Sequence, residues 1–199
     1  MFPIPPVVVQ TQPDLPRAAQ AAHRRHLPYA ECNPQALAEL AAGVQVRRNA
    51  VASLTRLLKA AEHDGVPLKV AAGFRSVETQ RAAFESGAKK KGLSLRSYAW
   101  WTAPPGFSEH HTGLAVDFAD PKRPKTNFTP ASFSKTEAYI WLKTHAQAFG
   151  FELSFRENSG LRVAFEPWHW RFVGDEESRA IFAVARQGRV AQDGVLAPR

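Results

Sequence analysis

The sequence predicts an α+β fold in which a small, mostly antiparallel β-sheet packs against several helices. Helical patterns occupy the first part of the chain, and the later strand patterns are joined by short turns, which is the order expected of this class. The chain contains neither GxGxxG nor a phosphate-binding loop, so the sequence does not indicate a doubly wound nucleotide-binding fold.

The composition is that of one folded domain. The chain has 199 residues, of which 44% are hydrophobic and 22% charged, enough to bury one sizeable core. We expect an extended Pro-rich arm over residues 1–30, a single domain over 31–190 and a short tail over 191–199. Because Cys32 is the only cysteine, any bound metal must be held by histidine and carboxylate groups.

The charge balance limits the class of partner. A net charge of +8 attracts polyanions of any kind, but the basic residues form no dense block, so we expect no specific nucleic-acid site. No apolar stretch is long enough to cross a bilayer, and no signal peptide is visible in the chain.

Hydrophobic periodicity predicts the first half of the chain element by element. A helix is expected from Pro34, and a longer helix over about 46–63 that Gly65 would end. A short strand at 68–70 leads to a helix over 77–90, for which the preceding serine is a suitable N-cap.

The second half is predicted in the same way. Residues 92–106 are expected to form a long loop rich in aromatic side chains. A helix is expected to begin at a capping box formed by Ser134 and Glu137 and to end at Gly150. The remaining predicted elements are strands at 151–155, 161–165 and 169–173 and a helix at 176–186.

An aspartate lies in a strand that is otherwise apolar. In the stretch SEHHTGLAVDFAD at 108–120, Leu114, Val116 and Phe118 alternate onto one buried face, so Asp117 points to the opposite face. Burying a lone carboxylate there is costly unless it meets a cation or a full set of donors. The pattern therefore indicates a polar or metal partner for Asp117.

A histidine lies in a second strand of the same kind. In EPWHWRF at 166–172, alternation puts the two tryptophans and Phe172 on one face and His169 on the other. Pro167 cannot donate a ladder hydrogen bond, so Glu166 is expected at the mouth of the strand, where its carboxylate can reach into a cleft.

These residue types suit catalytic zinc. Two imidazoles and one carboxylate leave the fourth tetrahedral position to a water, whose pKa the metal lowers towards about 7. Asp117, His169 and one of the adjacent histidines His110 and His111 are the candidate ligands, and Glu166 is the candidate base that takes the proton of that water. Arg75 is a candidate partner for an oxyanion or for a terminal carboxylate.

The chain resembles the D-alanyl-D-alanine carboxypeptidases of the VanY type, in the zinc peptidase group that also holds the L,D-carboxypeptidases of cell-wall turnover. The resemblance runs from about residue 26 to 174. Four segments carry it, namely GFRSVETQ at 73–80, PGFSEHHTGLAVDF at 105–118, WLKTHAQAFGFELSF at 141–155 and EPWHWRFVG at 166–174. It implies a VanY/LAS-type fold in which the sheet carries the zinc site.

The resemblance also implies a role for each matching residue. His110, Asp117 and His169 correspond to the Zn²⁺ ligands, Glu166 to the general base, Arg75 to a catalytic arginine, and Gln80 and Ser108 to substrate-binding positions. The chain departs from the pattern at His111, where glutamine is common, so His111 is expected either to compete for the metal or to tune the site. Glu109 is expected either to support a ligand or to be solvated, and Asp120 to cap the end of a strand.

The expected function is hydrolysis of the C-terminal D-amino acid of peptidoglycan stem peptides, with D,D and L,D specificity both open. One alternative is a zinc endopeptidase of the same group that cuts between L-alanine and D-glutamate, as phage lysins do. An alternative of another class is a non-catalytic module that binds cell wall or nucleic acid. We expect a monomer that acts outside the cytoplasmic membrane, in the periplasm or cell wall.

Overall fold

The fold is taken from a computed structural model, which describes residues 26–41, 43–157 and 163–186. Most of the predicted N-terminal arm and the whole predicted tail lie outside these ranges. Within them, no helix is long and apolar enough to span a membrane.

A β-hairpin follows Pro34, so the helix predicted there is wrong. After a single 3-10 turn, β1 (Leu37–Ala41) pairs antiparallel with β2 (Val44–Arg47). Gly43 adopts a φ of 75°, which allows the chain to reverse tightly. A short apolar run fits a helix and a strand equally well by spacing alone, and here the pairing with β2 decides the outcome.

The two longest helices follow the prediction closely. Helix α1 (Arg48–His63) begins two residues later than expected because its predicted start belongs to β2, and its buried residues form one stripe. Helix α2 (Val77–Lys90) begins as predicted after Ser76, whose side chain accepts a hydrogen bond from the Thr79 amide.

A four-stranded antiparallel sheet carries the rest of the fold and confirms the predicted α+β class. Its strands are β3 (Lys69–Ala72), β4 (Ala115–Ala119), β5 (Phe151–Leu153) and β6 (His169–Phe172), in the spatial order β3-β4-β6-β5. The predicted strand at 161–165 is wrong for 163–165, which form no strand, while 161–162 lie outside the described ranges.

Shorter helices lie between these strands and after the last of them. They are α3 (Leu95–Tyr98) within the predicted loop, α4 (Pro130–Phe133), α5 (Glu137–His145) and α6 (Glu176–Ile181). The predicted capping box is wrong, because Ser134 ends α4 and Thr136 is the residue that caps α5. Pro130 starts the extra turn of helix that removes Ser134 from this role.

The main core lies on one face of the sheet. The buried side chains of α1 and α5 pack there against Val116 and Phe118 of β4 and against Trp170 and Phe172 of β6. Because side chains alternate along a strand, Asp117 and His169 point to the opposite face. That face is covered as well, since every residue of β4 and β6 is buried.

Candidate metal centre

His110, Asp117 and His169 converge on one point. Asp117 and His169 are directly paired across β4 and β6, and His110 lies in the 3-10 turn Glu109–Thr112 that precedes β4. His110 Nε2 lies 3.3 Å from one oxygen of Asp117, and His169 Nδ1 lies 3.0 Å from the other. Tetrahedral zinc ligands at about 2.0–2.2 Å from the ion lie roughly 3.3–3.6 Å apart. The three ligand atoms, all within 4.8 Å of one another, therefore fit a single ion with little movement.

Hydrogen bonds to the other ring nitrogens select the atom that each histidine presents. His110 Nδ1 lies 2.7 Å from the carbonyl oxygen of Gly73, and His169 Nε2 lies 3.0 Å from Glu109 Oε2. Both acceptors require an N–H, so in the neutral rings His110 Nε2 and His169 Nδ1 are the atoms that offer a lone pair to a metal. The hydrogen bonds thus favour the tautomers that metal ligands need.

Position 73 requires a glycine. A Cβ atom there would lie 2.3 Å from the backbone oxygen of Gln45, which accepts a hydrogen bond from the Phe74 amide at 2.6 Å. Close approach of β2 to this turn therefore requires glycine. The same turn directs the Gly73 carbonyl at His110.

Glu109 is buried, and it supports His169. Its side chain is 3% exposed and accepts hydrogen bonds from His169 Nε2 at 3.0 Å, from Ser154 Oγ at 2.5 Å and from Arg171 at 2.7 Å, with the Tyr29 hydroxyl at 3.3 Å. Burial by itself raises the pKa of Glu109, but Arg171 and His169 outweigh burial and hold it well below its usual range. A charged carboxylate therefore lies behind His169.

His169 lies between two carboxylates. Burial by itself lowers its pKa, but the hydrogen bonds to Asp117 and Glu109 outweigh burial and raise it. In the absence of metal the ring therefore holds an extra proton, which a bound cation replaces. Arg171 completes the arrangement, since it also binds Glu152 at 2.8 Å and stacks over the ring of Phe182 at 5.1 Å.

The carboxyl group of Glu166 lies beside the ligands. One of its oxygens is 3.9 Å from His169 Nδ1, and its side chain is 20% exposed. Burial raises the pKa of Glu166 to about 8, and the carboxylates of Asp117 and Glu109 add to the rise, against the effect of His169 and Arg75. A carboxyl group with a pKa near neutrality can both accept and return a proton.

A cleft of about 200 Å³ opens over the three ligands, and Arg75, Gln80, Ser108 and Glu166 all contribute to its walls. Arg75 donates a hydrogen bond to the Gln80 side chain at 2.7 Å, and Gln80 donates to the Ala103 carbonyl at 2.6 Å. Ser108 caps the 3-10 turn by accepting from the His110 amide at 3.3 Å. The structure thus brings all seven residues predicted for the site to one cleft.

His111 does not face the cleft. Its Nδ1 lies 2.7 Å from the Arg75 carbonyl, and its Nε2 accepts a hydrogen bond from the Gly106 amide at 3.0 Å. Both ring nitrogens are therefore occupied in joining two loops. Burial lowers the pKa of His111, in keeping with a neutral structural group, so the structure does not support the prediction that it competes for the metal.

Sequence reasoning missed the part that Arg171 plays. The sequence predicts Glu109 as either a supporting group or a solvated one, and the structure shows the first. A signal was available, because Arg171 has the same parity in β6 as His169 and so lies on the same face. Nothing local in the sequence pairs Arg171 with Glu109, since 62 positions separate them.

An antiparallel sheet that brings two imidazoles, one carboxylate and a further carboxyl group to a cleft is the arrangement of a single-metal hydrolase. The family model for VanY, D-alanyl-D-alanine carboxypeptidase, matches residues 43–175. The chain belongs to this family.

Individual relatives agree with the family. A putative carboxypeptidase of Bacillus subtilis, YodJ, is 30% identical over 138 residues, which cover 68% of this chain and 49% of YodJ. A D-alanyl-D-alanine carboxypeptidase of Enterococcus faecalis is 35% identical over 138 residues, which cover 65% of this chain and 48% of the enzyme. The chain thus spans about half the length of these curated relatives.

A solved structure shares the fold. It is a mutant of the vancomycin resistance D,D-pentapeptidase VanY in complex with Zn(II), 30% identical, with a TM-score of 0.59 over 81% of this chain and 93% of that one. The resemblance to the VanY family predicted from the sequence is confirmed.

Proposed function

We propose that the protein is a zinc-dependent carboxypeptidase that removes the C-terminal D-amino acid from peptidoglycan stem peptides. The observation that carries the proposal is the convergence of three buried groups whose ligand atoms suit one zinc ion, with the carboxyl group of Glu166 3.9 Å from one of them. The name of the Enterococcus faecalis relative supports the substrate class. Action on peptidoglycan implies a location outside the cytoplasmic membrane.

His110, Asp117 and His169 would hold the ion. Bound zinc supplies a Lewis acid and an acidified water. Glu166 takes the proton of the attacking water and returns it to the leaving amine. Its buried position lets it hold that proton between the two steps, because burial favours the neutral acid.

Arg75 and Gln80 bind the peptide. Gln80 fixes the guanidinium of Arg75 by a hydrogen bond at 2.7 Å. The remaining donors of Arg75 can stabilise the oxyanion or pair with the terminal carboxylate of the substrate. Ser108 sets the start of the turn that carries His110, so it shapes the cleft together with them.

The cleft suits the end of a peptide. At about 200 Å³, it is smaller than the roughly 300–1,000 Å³ of pockets that take drug-sized ligands, and one or two small residues with a free carboxylate fit this space. The names of the Bacillus subtilis and Enterococcus faecalis relatives, both carboxypeptidases, favour a carboxypeptidase over the endopeptidase alternative.

Digestion of defined muropeptides tests the proposal. Zinc-loaded protein should release a single D-alanine from pentapeptide stems, measured by the mass of the products, and tetrapeptide stems separate D,D from L,D specificity. Glu166→Gln should keep one zinc per chain while activity falls about 100- to 10,000-fold. The control is Glu85→Gln on the exposed side of α2, which should leave activity unchanged.

Three results would contradict the proposal. A stem that is split internally identifies an endopeptidase. Full activity in Glu166→Gln removes the base assignment. A protein that binds wall polymers with steep salt dependence but needs no stoichiometric zinc and hydrolyses nothing belongs to the non-catalytic class.

A further inference from the structure

Phe128 has a backbone conformation that residues with bulky side chains rarely adopt. Its φ is 60°, and no other non-glycine residue in the described ranges has a positive φ. The left-handed region brings Cβ too close to the following carbonyl oxygen, so a phenylalanine there is strained. Such residues persist where the surrounding structure fixes them, and they concentrate at functional sites.

Hydrogen bonds of the residues on both sides of Phe128 fix its strained backbone conformation. The Asn127 side chain accepts from the Asp120 amide at 2.9 Å and donates to the Asp120 carbonyl at 3.3 Å. On the other side, the Thr129 carbonyl accepts from the Phe133 amide at 2.8 Å in α4. Since Asp120 lies three positions after the ligand Asp117, the loop is tied to the strand that bears the metal site.

The ring of Phe128 lies in the wall of the cleft. Phe128 is 50% exposed, yet it lines the same cleft as His110, Asp117 and Glu166. One side of the ring meets Trp168 edge to face, with centroids 5.7 Å apart, which fixes its direction. Packing alone does not require half of an aromatic side chain to face solvent from a strained backbone. The exposed half is available to a ligand.

We propose that Phe128 is a specificity-determining residue whose ring contacts the methyl group of one of the two alanines at the substrate's C-terminus. This inference rests on the proposed function, since it takes the stem peptide as the ligand. Arg75 supplies charge for the terminal carboxylate, and Phe128 with Trp168 supplies an apolar wall for a small side chain. Without that contact, binding loses the distinction between alanine and glycine.

The experiment combines two variants with three substrates. The substrates are N-acylated peptides ending in D-Ala-D-Ala, in D-Ala-Gly and in Gly-D-Ala, so that each methyl group is removed once. Phe128→Ala should lower kcat/KM about 10-fold for D-Ala-D-Ala, and less than twofold for the peptide that already lacks the contacted methyl group. The control is Ile140→Ala, which removes an exposed apolar side chain on α5 outside the cleft and should change neither value.

Comparison of Phe128→Gly with Phe128→Ala distinguishes the backbone strain at this position from the contact that its ring makes with the substrate. Phe128→Gly should show the same kinetic loss as Phe128→Ala but unfold about 2–4 °C higher, because glycine adopts positive φ without strain. Equal losses for all three peptides, or no loss, with an active wild-type protein would overturn the role of Phe128. A wild-type protein that hydrolyses none of the peptides would instead overturn the proposed function, and this inference with it.

Discussion

Replacing Glu109 with glutamine is expected to weaken zinc binding although all three metal ligands remain. The pKa of Glu109 lies well below its usual range, so the substitution removes a negative charge. It also replaces an acceptor that lies 3.0 Å from His169 Nε2 and fixes the ring with Nδ1 towards the metal. Both losses act on the same ligand.

The expected losses of zinc affinity and of stability follow from the contacts of Glu109. Loss of a carboxylate that orients a metal-bound histidine typically costs 10- to 100-fold in affinity, or about 1.4–2.7 kcal/mol. Stability should fall as well, because Arg171 is 2% exposed and loses one of its two charged partners. Breaking a buried ion pair costs about 3–5 kcal/mol, and Glu152, which still binds Arg171, places the expected loss near the lower end.

Glu152→Gln is the matched control. Glu152 binds the same Arg171 at 2.8 Å, but its hydrogen bonds do not include His169 among those found in the described part of the chain. Zinc affinity is measured by competition with a chelator, and the free energy of unfolding by urea titration of the metal-free proteins. We expect both variants to be less stable and Glu109→Gln alone to bind zinc more weakly. Wild-type zinc affinity in Glu109→Gln, or an equal loss in Glu152→Gln, would refute the reasoning.

Two further predictions concern the same site. In metal-free protein the pKa of Glu166 is about 8 when folded and about 4.5 when unfolded, so between these values the folded state binds more protons and its stability falls as pH rises. Urea titrations at pH 5 and pH 8 should show this fall, a few kcal/mol at most for a side chain that is 20% exposed. The fall should be smaller in Glu166→Gln, where the raised pKa of His169 still contributes, and an equal fall in the two proteins would contradict the prediction. Gly73→Ala places a Cβ atom against the Gln45 carbonyl and should cost about 1–3 kcal/mol of stability while weakening zinc binding through His110. Calorimetric zinc titration and thermal unfolding measure both effects. Wild-type zinc affinity in Gly73→Ala would contradict the prediction that Gly73 positions His110.

The positions of the candidate ligands on β4 and β6 could be predicted because their signal is local. Alternation along each strand is enough to place Asp117 and His169 on the face away from the core, and the predicted faces are those found. What alternation does not contain is the register between strands. The direct pairing of Asp117 with His169 joins residues 52 positions apart, and only the folded sheet specifies it.

The sequence predictions were wrong where two local structures fitted the same residues equally well. The segment after Pro34 fits a helix by spacing, and pairing with β2 makes it a strand. Ser134 with Glu137 fits a capping box, but Thr136 performs the capping because α4 extends to the residue before Ser134. The burial of Glu109 depends on Arg171 and Tyr29 from distant parts of the chain, so no local pattern could have separated a supporting carboxylate from a solvated one.

The direct pairing of Asp117 with His169 places the candidate ligands and the cleft walls on different parts of the chain. This separation bears on how such proteins diverge. Neighbouring strands fix the distance between these two ligands, whatever the length of the connection that joins β4 to β6. That connection carries Phe128 and Phe155, both of which line the cleft. Insertions, deletions and exchanges there can remodel the peptide-accepting walls while the coordination geometry stays constant. An engineer who wants a new terminal residue accepted should therefore exchange the wall residues Phe128 and Phe155 and leave α5, β5 and the strands that pair Asp117 with His169 unchanged.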